Sequence, residues 1–150
     1  MNALATVDDA CVAPRSRPAR PARSRRARQQ AYAFGVAGEK AVASFLRAGD
    51  YAVLAHRARL GRCEVDLVVA RDDVVAFVEV KARRQGMDGL EAVTPAKMKR
   101  LSRAANTWLA DNDAYADCAL RFDIALVGRD QSIDYLENAF EAVEYDDFTH

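Results

Sequence analysis

Apolar residues recur along the chain with two different periods, and the switches between them sketch a fold. Ala37, Ala41 and Phe45, with Val42 and Leu46 beside them, repeat at helical spacing, and Gly49 closes the segment as a C-cap. Residues 51–59 read as a strand. Residues 64–70 (EVDLVVA) and 74–82 (VVAFVEVKA) are β-branched runs separated by the polar Arg71-Asp72-Asp73, which predicts a hairpin. Thr94 then offers an N-cap and Pro95 the first helical position, and the helix behind them buries Met98, Leu101, Ala105, Trp108 and Leu109. Phe45 and Trp108 are the large aromatics expected in the core. Residues 120–127 and 132–140 are two further strands around Gly128-Arg129-Asp130. Helix, three strands, helix, two strands, in a chain too short for two domains, predicts an α/β fold with a central mixed sheet flanked by helices.

Neither end fits that pattern. Residues 1–30 are rich in Pro, Arg and Ala and lack large apolar side chains in the stretch from Pro14, so nothing there offsets the entropy of ordering. They read as a disordered arm, residues 31–140 as the folded domain, and residues 141–150 as a frayed acidic tail. The net charge of zero conceals this division. The arm holds seven arginines against Asp8 and Asp9, while residues 31–150 hold 15 Lys and Arg against 20 Asp and Glu. Cationic charge that attracts phosphate is therefore concentrated in the arm. No apolar run approaches the roughly 18 residues of a membrane span, and no secretory leader is recognisable. Cys11, Cys63 and Cys118 are odd in number and scattered, which fits a reducing cytoplasm better than a disulfide framework or a zinc site.

The hairpin carries the chemistry. With Asp72-Asp73 as its central residues, Arg71 pairs with Val74, and counting back puts Asp66 opposite Glu79 and Glu64 opposite Lys81. Period-two alternation turns these four to one face and Val65, Leu67, Val78 and Val80 to the other. Both strands otherwise read as nearly continuous apolar runs, the pattern of strands covered on both faces. Two carboxylates about 5.5 Å apart repel by roughly 3 kcal/mol at an effective dielectric near 20. A cross-strand pair returns only about 0.2–1 kcal/mol. A hard cation such as Mg²⁺ or Mn²⁺ relieves that repulsion and takes carboxylate oxygens, carbonyls and water as ligands. The plainer alternative is a solvated charge lattice in which Lys81 balances Glu64 and Asp66.

The segments Cys63-Glu64-Val65-Asp66-Leu67-Val68 and Phe77-Val78-Glu79-Val80-Lys81-Ala82-Arg83 resemble the G-E-I-D-L-I and F-V-E-V-K-x-R signatures of the YraN-like family of bacterial proteins. Gly35, Gly38-Glu39 and Ala41, then Ala92-Val93 with Lys97, Arg121-Phe122-Asp123 and Asn138-Ala139-Phe140, extend the likeness over about residues 34–140. The family's Gly ahead of Glu64 is Cys63 here, and its upstream Asn is absent from His56-Arg57-Ala58-Arg59. The resemblance implies a PD-(D/E)xK nuclease fold similar to Holliday-junction resolvases. It also implies a Mg²⁺- or Mn²⁺-dependent endonuclease acting on DNA, with branched or structured DNA as the favoured substrate. Asp66 and Glu79 are then metal ligands, the Val80 carbonyl a third, and Glu39 reaches the metal directly or through water. Lys81 orients the attacking water and stabilises charge on the phosphate, and Glu64 stands behind it as partner. Arg83 and Arg84 after the active strand, with Lys97 and Arg100 along one helix face, are expected to contact nucleic acid. Resolvases act as dimers, so the same resemblance implies a homodimer. The competing readings are a noncatalytic nucleic-acid-binding module on the same sheet and an assembly factor acting through its acidic tail.

Overall fold

The computed structural model describes residues 24–83 and 93–143. Most of the basic arm, Arg84 and residues 144–150 of the acidic tail lie outside the described residues. Helix α1 (Arg25–Ala48) leads into strands β1 (Ala52–Leu60), β2 (Cys63–Arg71) and β3 (Val74–Ala82). Helix α2 (Pro95–Asp111), a short 3₁₀ turn (Asp113–Tyr115) and strands β4 (Ala119–Val127) and β5 (Ile133–Phe140) follow. The α/β fold and element order are those the sequence predicts. Helix α1 starts at Arg25, ahead of the Ala31 boundary, with the Ser24 hydroxyl accepting from Ala27 N–H.

The five strands form one sheet in the order β1-β2-β3-β4-β5. Neighbours are antiparallel except β3 and β4, which run parallel, so the chain must cross over between them, and α2 is that crossover. Thr94 caps α2 through its hydroxyl, which accepts from Lys97 N–H at 3.2 Å, and Pro95 opens the helix. The two helices cover opposite faces. Val42, Ala43 and Leu46 of α1 pack on Leu67, Val69, Ala76, Val78 and Val127. On the other face Leu101, Ala105 and Trp108 of α2 pack on Val68, Phe77, Phe122 and Ile124. Trp108 meets Phe77 edge-on, with ring centroids 5.8 Å apart.

One expectation is corrected here, and two are refined. Phe45 is 46% exposed, because α1 turns Gly38, Val42 and Leu46 inward in place of the Ala37, Ala41, Phe45 row; it lies against Tyr135 instead. Gly38 packs on Val127 there, and a Cβ at that position would make ordinary contact with the Val127 side chain at 3.6 Å. Gly49 is the C-cap, but the left-handed residue is Asp50 (φ 66°) one position later. The substitution of Cys63 for glycine leaves its turn intact, because Gly61 (φ 64°) supplies the positive φ between Leu60 and its partner Cys63. A Cβ at Gly61 would meet nothing within 4 Å. Gly61→Ala is therefore expected to cost only the conformational penalty, about 1 kcal/mol in urea unfolding. Among the described residues no helix is long and apolar enough to cross a membrane.

Candidate active site

Near its turn the β2–β3 hairpin has the predicted register, from Arg71↔Val74 to Leu67↔Val78. Beyond that pair the strands part. Glu79 and Lys81 remain in the sheet through β4, opposite Ile124 and Leu126. On β2 the strict alternation breaks at Asp66: Val65 joins the α2-side core with Val68, although Leu67 and Val69 pack toward α1. The expected pairings of Asp66 with Glu79 and of Glu64 with Lys81, and the shared apolar face of Val65 and Leu67, are thus all replaced by a fork.

The Asp66 side chain fills the top of that fork. Its Oδ2 accepts a hydrogen bond from Val80 N–H at 2.8 Å, a contact the main chain of β2 would otherwise make. Arg83 N–H donates to Val127 O on β4, and main-chain groups of alternate residues project to opposite strand edges. Val80 therefore turns both its N–H and its carbonyl toward the fork.

Glu79 is buried at 4% exposure. Its Oε1 lies 3.2 Å from Lys81 Nζ, and its Oε2 lies 3.8 Å from Lys97 Nζ with no hydrogen-bond partner. A buried carboxylate oxygen without a hydrogen bond is uncommon and calls for a missing partner. Burial, and then the Glu79 charge, push the Asp66 carboxyl up from its ordinary 3.8 to about 7, against the opposing Val80 hydrogen bond. Asp66, Glu79 and the Val80 carbonyl thus gather hard oxygen donors, with Lys81 and Lys97 both drawn to Glu79. That donor set fits a Mg²⁺ or Mn²⁺ ion, which uses one or two carboxylates and completes its shell with water.

The remaining candidates are distributed unevenly. Glu39 forms a two-point contact with Arg57, at 2.8 Å to Nε and 3.3 Å to Nη2, though its charge still raises the Asp66 pKa. Among the described residues no three His, Cys, Asp or Glu side chains gather as a metal cluster, so the site offers two carboxylates and a carbonyl. Glu64 faces Arg59 on β1, 3.6 Å away, and its carbonyl accepts from Lys97 Nζ at 3.4 Å. Arg83 pairs with Asp134 at 3.8 Å, and Arg100 lines a hollow beside Cys63. Arg84 is outside the described residues.

Two contributions were not legible in the sequence. The first turn of α2 brings Lys97, an expected nucleic-acid contact, against Glu79 as well. Arg57 lies between the pairs His56↔Leu67 and Ala58↔Val65, across from Asp66, in a left-handed conformation (φ 46°). A non-glycine residue held there stores strain, which the two-point Glu39 contact and Tyr32, whose ring lies 5.5 Å from the guanidinium, help to sustain.

A mixed sheet between two helices, forked beside Asp66 and Glu79, defines a small α/β protein whose core is consistent with that of nucleases. The chain belongs to the uncharacterised protein family UPF0102, whose sequence model matches residues 38–127; this is the YraN-like family its motifs resemble. It is 42% identical over 118 residues to a UPF0102 protein of Azorhizobium caulinodans, covering 79% of this chain and 90% of that protein. A UPF0102 protein of Rhodopseudomonas palustris is 40% identical over 116 residues, covering 77% and 89%. Another, from Chelativorans sp., is 39% identical over 121 residues, covering 81% and 98%.

Proposed function

We propose that this protein is a metal-dependent endonuclease that hydrolyses DNA phosphodiesters, with branched or structured DNA as the favoured substrate. The observation that carries the reading is the buried Glu79 oxygen without a hydrogen bond, beside an Asp66 carboxyl pushed to about 7. Lys81, Lys97 and the Val80 N–H partner these carboxylates, yet one Glu79 oxygen is left without a hydrogen bond, as a site for a cation would leave it. Asp66, Glu79 and the Val80 carbonyl would hold Mg²⁺ or Mn²⁺, which when bound supplies Lewis acidity toward a phosphoryl oxygen.

The protein's own groups do the positioning. Lys81 is anchored on Glu79 while 40% of its side chain stays exposed, so its ammonium can reach a phosphate at the mouth of the fork. There it orients the attacking water and offsets the negative charge that grows on phosphorus-bound oxygens. Lys97 supports Glu79 from the opposite element. Arg57 holds Glu39 close to Asp66, which keeps the approach to the fork shaped and charged. In the reaction the water oxygen bonds to phosphorus, the ester P–O bond breaks, and the departing oxygen takes up a proton. Branched DNA and a homodimeric assembly follow from the likeness to resolvases.

The test is a nuclease assay on linear, nicked, flapped and four-way DNA with Mg²⁺, Mn²⁺ or EDTA. Cleavage that needs the metal and is lost in Glu79→Gln and Lys81→Ala is the expected result. Equal cleavage by wild type and Glu79→Gln, or none on any substrate with either metal, overturns the reading.

A further inference from the structure

An acidic fork repels the phosphate it would have to act on, and residues 31–150 carry more acidic than basic side chains. A strand of nucleic acid needs cations close by to stay there. The molecule has them on one side of the fork. Two adjoining hollows, each about 430 Å³, flank the β1–β2 turn and share Gly61, Arg62 and Cys63. One is walled by Arg100 and Arg103 of α2, the other by Arg59.

We propose that this groove is a phosphodiester-binding site that seats a DNA strand beside the carboxylate fork. The helix supplies the spacing. Lys97, Arg100 and Arg103 follow one another at i, i+3 steps and so share a face of α2. At 1.5 Å rise per residue they span about 9 Å, the length of two to three nucleotides at roughly 3.4 Å each. The near end of the row is Lys97, whose Nζ lies 3.8 Å from Glu79 Oε2. The cationic row therefore starts at the fork and leads along α2 to Arg100 and Arg103, which wall the groove.

The charge balance points the same way. Arg62 and Arg100 are exposed, and among the described residues neither has a carboxylate within ion-pair distance. The acid that does line the groove, Glu64, is held by Arg59 at 3.6 Å. Unopposed guanidinium groups in a concave wall suit phosphate, which Arg binds through two parallel N–H donors. Cys63 contributes shape only: burial pushes its thiol up, which keeps it from acting as a nucleophile.

The assignment rests on the nuclease reading for the identity of the polyanion, not for the binding itself. It is tested with the full chain in EDTA, where no hydrolysis interferes, by fluorescence anisotropy on a 20-nucleotide single strand, a duplex and a four-way junction across a salt series. Arg62→Ala and Arg100→Ala should each weaken binding several-fold and flatten the slope of log K against log salt by about one. Arg62→Glu/Arg100→Glu should lose at least about tenfold on every substrate at unchanged melting temperature, and Arg100→Lys should recover part of the loss. Unchanged affinity and slope in the double charge reversal overturns the groove, whatever cleavage does, and so does a wild type that binds no DNA at low salt. Groove-dependent binding with no cleavage in Mn²⁺ keeps the groove and removes the nuclease.

Discussion

Asp66→Asn should melt higher than wild type in EDTA at pH 8, lose all response to Mn²⁺, and cleave no DNA. The asparagine keeps an oxygen that can accept from Val80 N–H, so the fork's one cross-strand hydrogen bond survives while the charge is removed. The folded protein holds the Asp66 carboxyl at about 7 against an ordinary 3.8, which means the fold favours the protonated form. Wild-type stability without metal therefore falls as pH rises from about 4 to 7 and is level above that. The gain on substitution is small near pH 4 and reaches its full size above pH 7. At about 1.4 kcal/mol per pKa unit the ceiling is about 4 kcal/mol, and on the order of 2–3 kcal/mol is expected. Adding Mn²⁺ at about 100 times its Kd should stabilise wild type by roughly 2.7 kcal/mol, because the ion binds only the folded state. Thermal melts from pH 4 to 8, with EDTA and with Mn²⁺, measure both effects. A charge lattice built for stability predicts the opposite signs: no metal response, and a loss when Asp66 is neutralised.

The largest loss of stability is expected outside the candidate metal ligands, at Asp123, which lies on β4 across from Val78. This residue matches the family motif, and nothing in the sequence gives it a role; the structure does. It is fully buried on β4 and accepts four hydrogen bonds, from Arg121 Nε and Nη2, both at 2.8 Å, from the Tyr135 hydroxyl at 2.5 Å, and from Asn138 N–H at 2.9 Å. Arg121 reaches on to the Tyr51 hydroxyl at 2.6 Å, and Tyr51 donates to Glu137. The bond to Asn138 pins an irregularity in the β4–β5 pairing, where the register shifts between Phe122 and Ile124 and Asn138 takes φ 50°. Burial and the Asp123 charge push the Tyr135 hydroxyl well up, so it remains a donor. Asp123→Ala leaves the mostly buried Arg121 guanidinium with only the half-exposed Glu137, 3.7 Å away, as counter-ion, and should cost about 3–5 kcal/mol. The melting temperature should fall by roughly 10–20 °C. The fall should be the same in EDTA and in Mn²⁺, which separates this network from the fork. A loss below about 1 kcal/mol would show that the network adds little to stability.

The local features could be read directly from the sequence because each depends on neighbours a few positions away. A two-residue turn at Asp72-Asp73 fixes the pairing from Arg71↔Val74 to Leu67↔Val78, since register propagates from the turn by counting. Thr94 and Pro95 define where α2 starts through bonds that close within three residues. The element order predicts a mixed sheet, and the structure places its parallel pair at β3 and β4, joined by α2. Asp66 and Glu79 stood out as charges in apolar runs, which needs only the pattern.

Counting failed where two or more elements meet. The hairpin parts beyond Leu67↔Val78 because β3 is committed to β4 while Asp66, not the β2 main chain, takes the Val80 N–H; no property of either strand alone predicts that fork. Glu64 turns to Arg59 because β1 pairs on the other edge of β2. Phe45 stays outside because the sheet, through Val127 against Gly38, selects which stripe of α1 is buried. Lys97 meets Glu79, and Arg57 meets Glu39, across gaps of 18 residues in each case. Tyr51 joins Arg121 across 70. Contacts of that separation depend on how the helices lie on the sheet, a choice made by packing volume and charge in three dimensions. The sequence determined which residues are candidates for the chemistry; the packing of α1 and α2 on the forked sheet decided which of them meet.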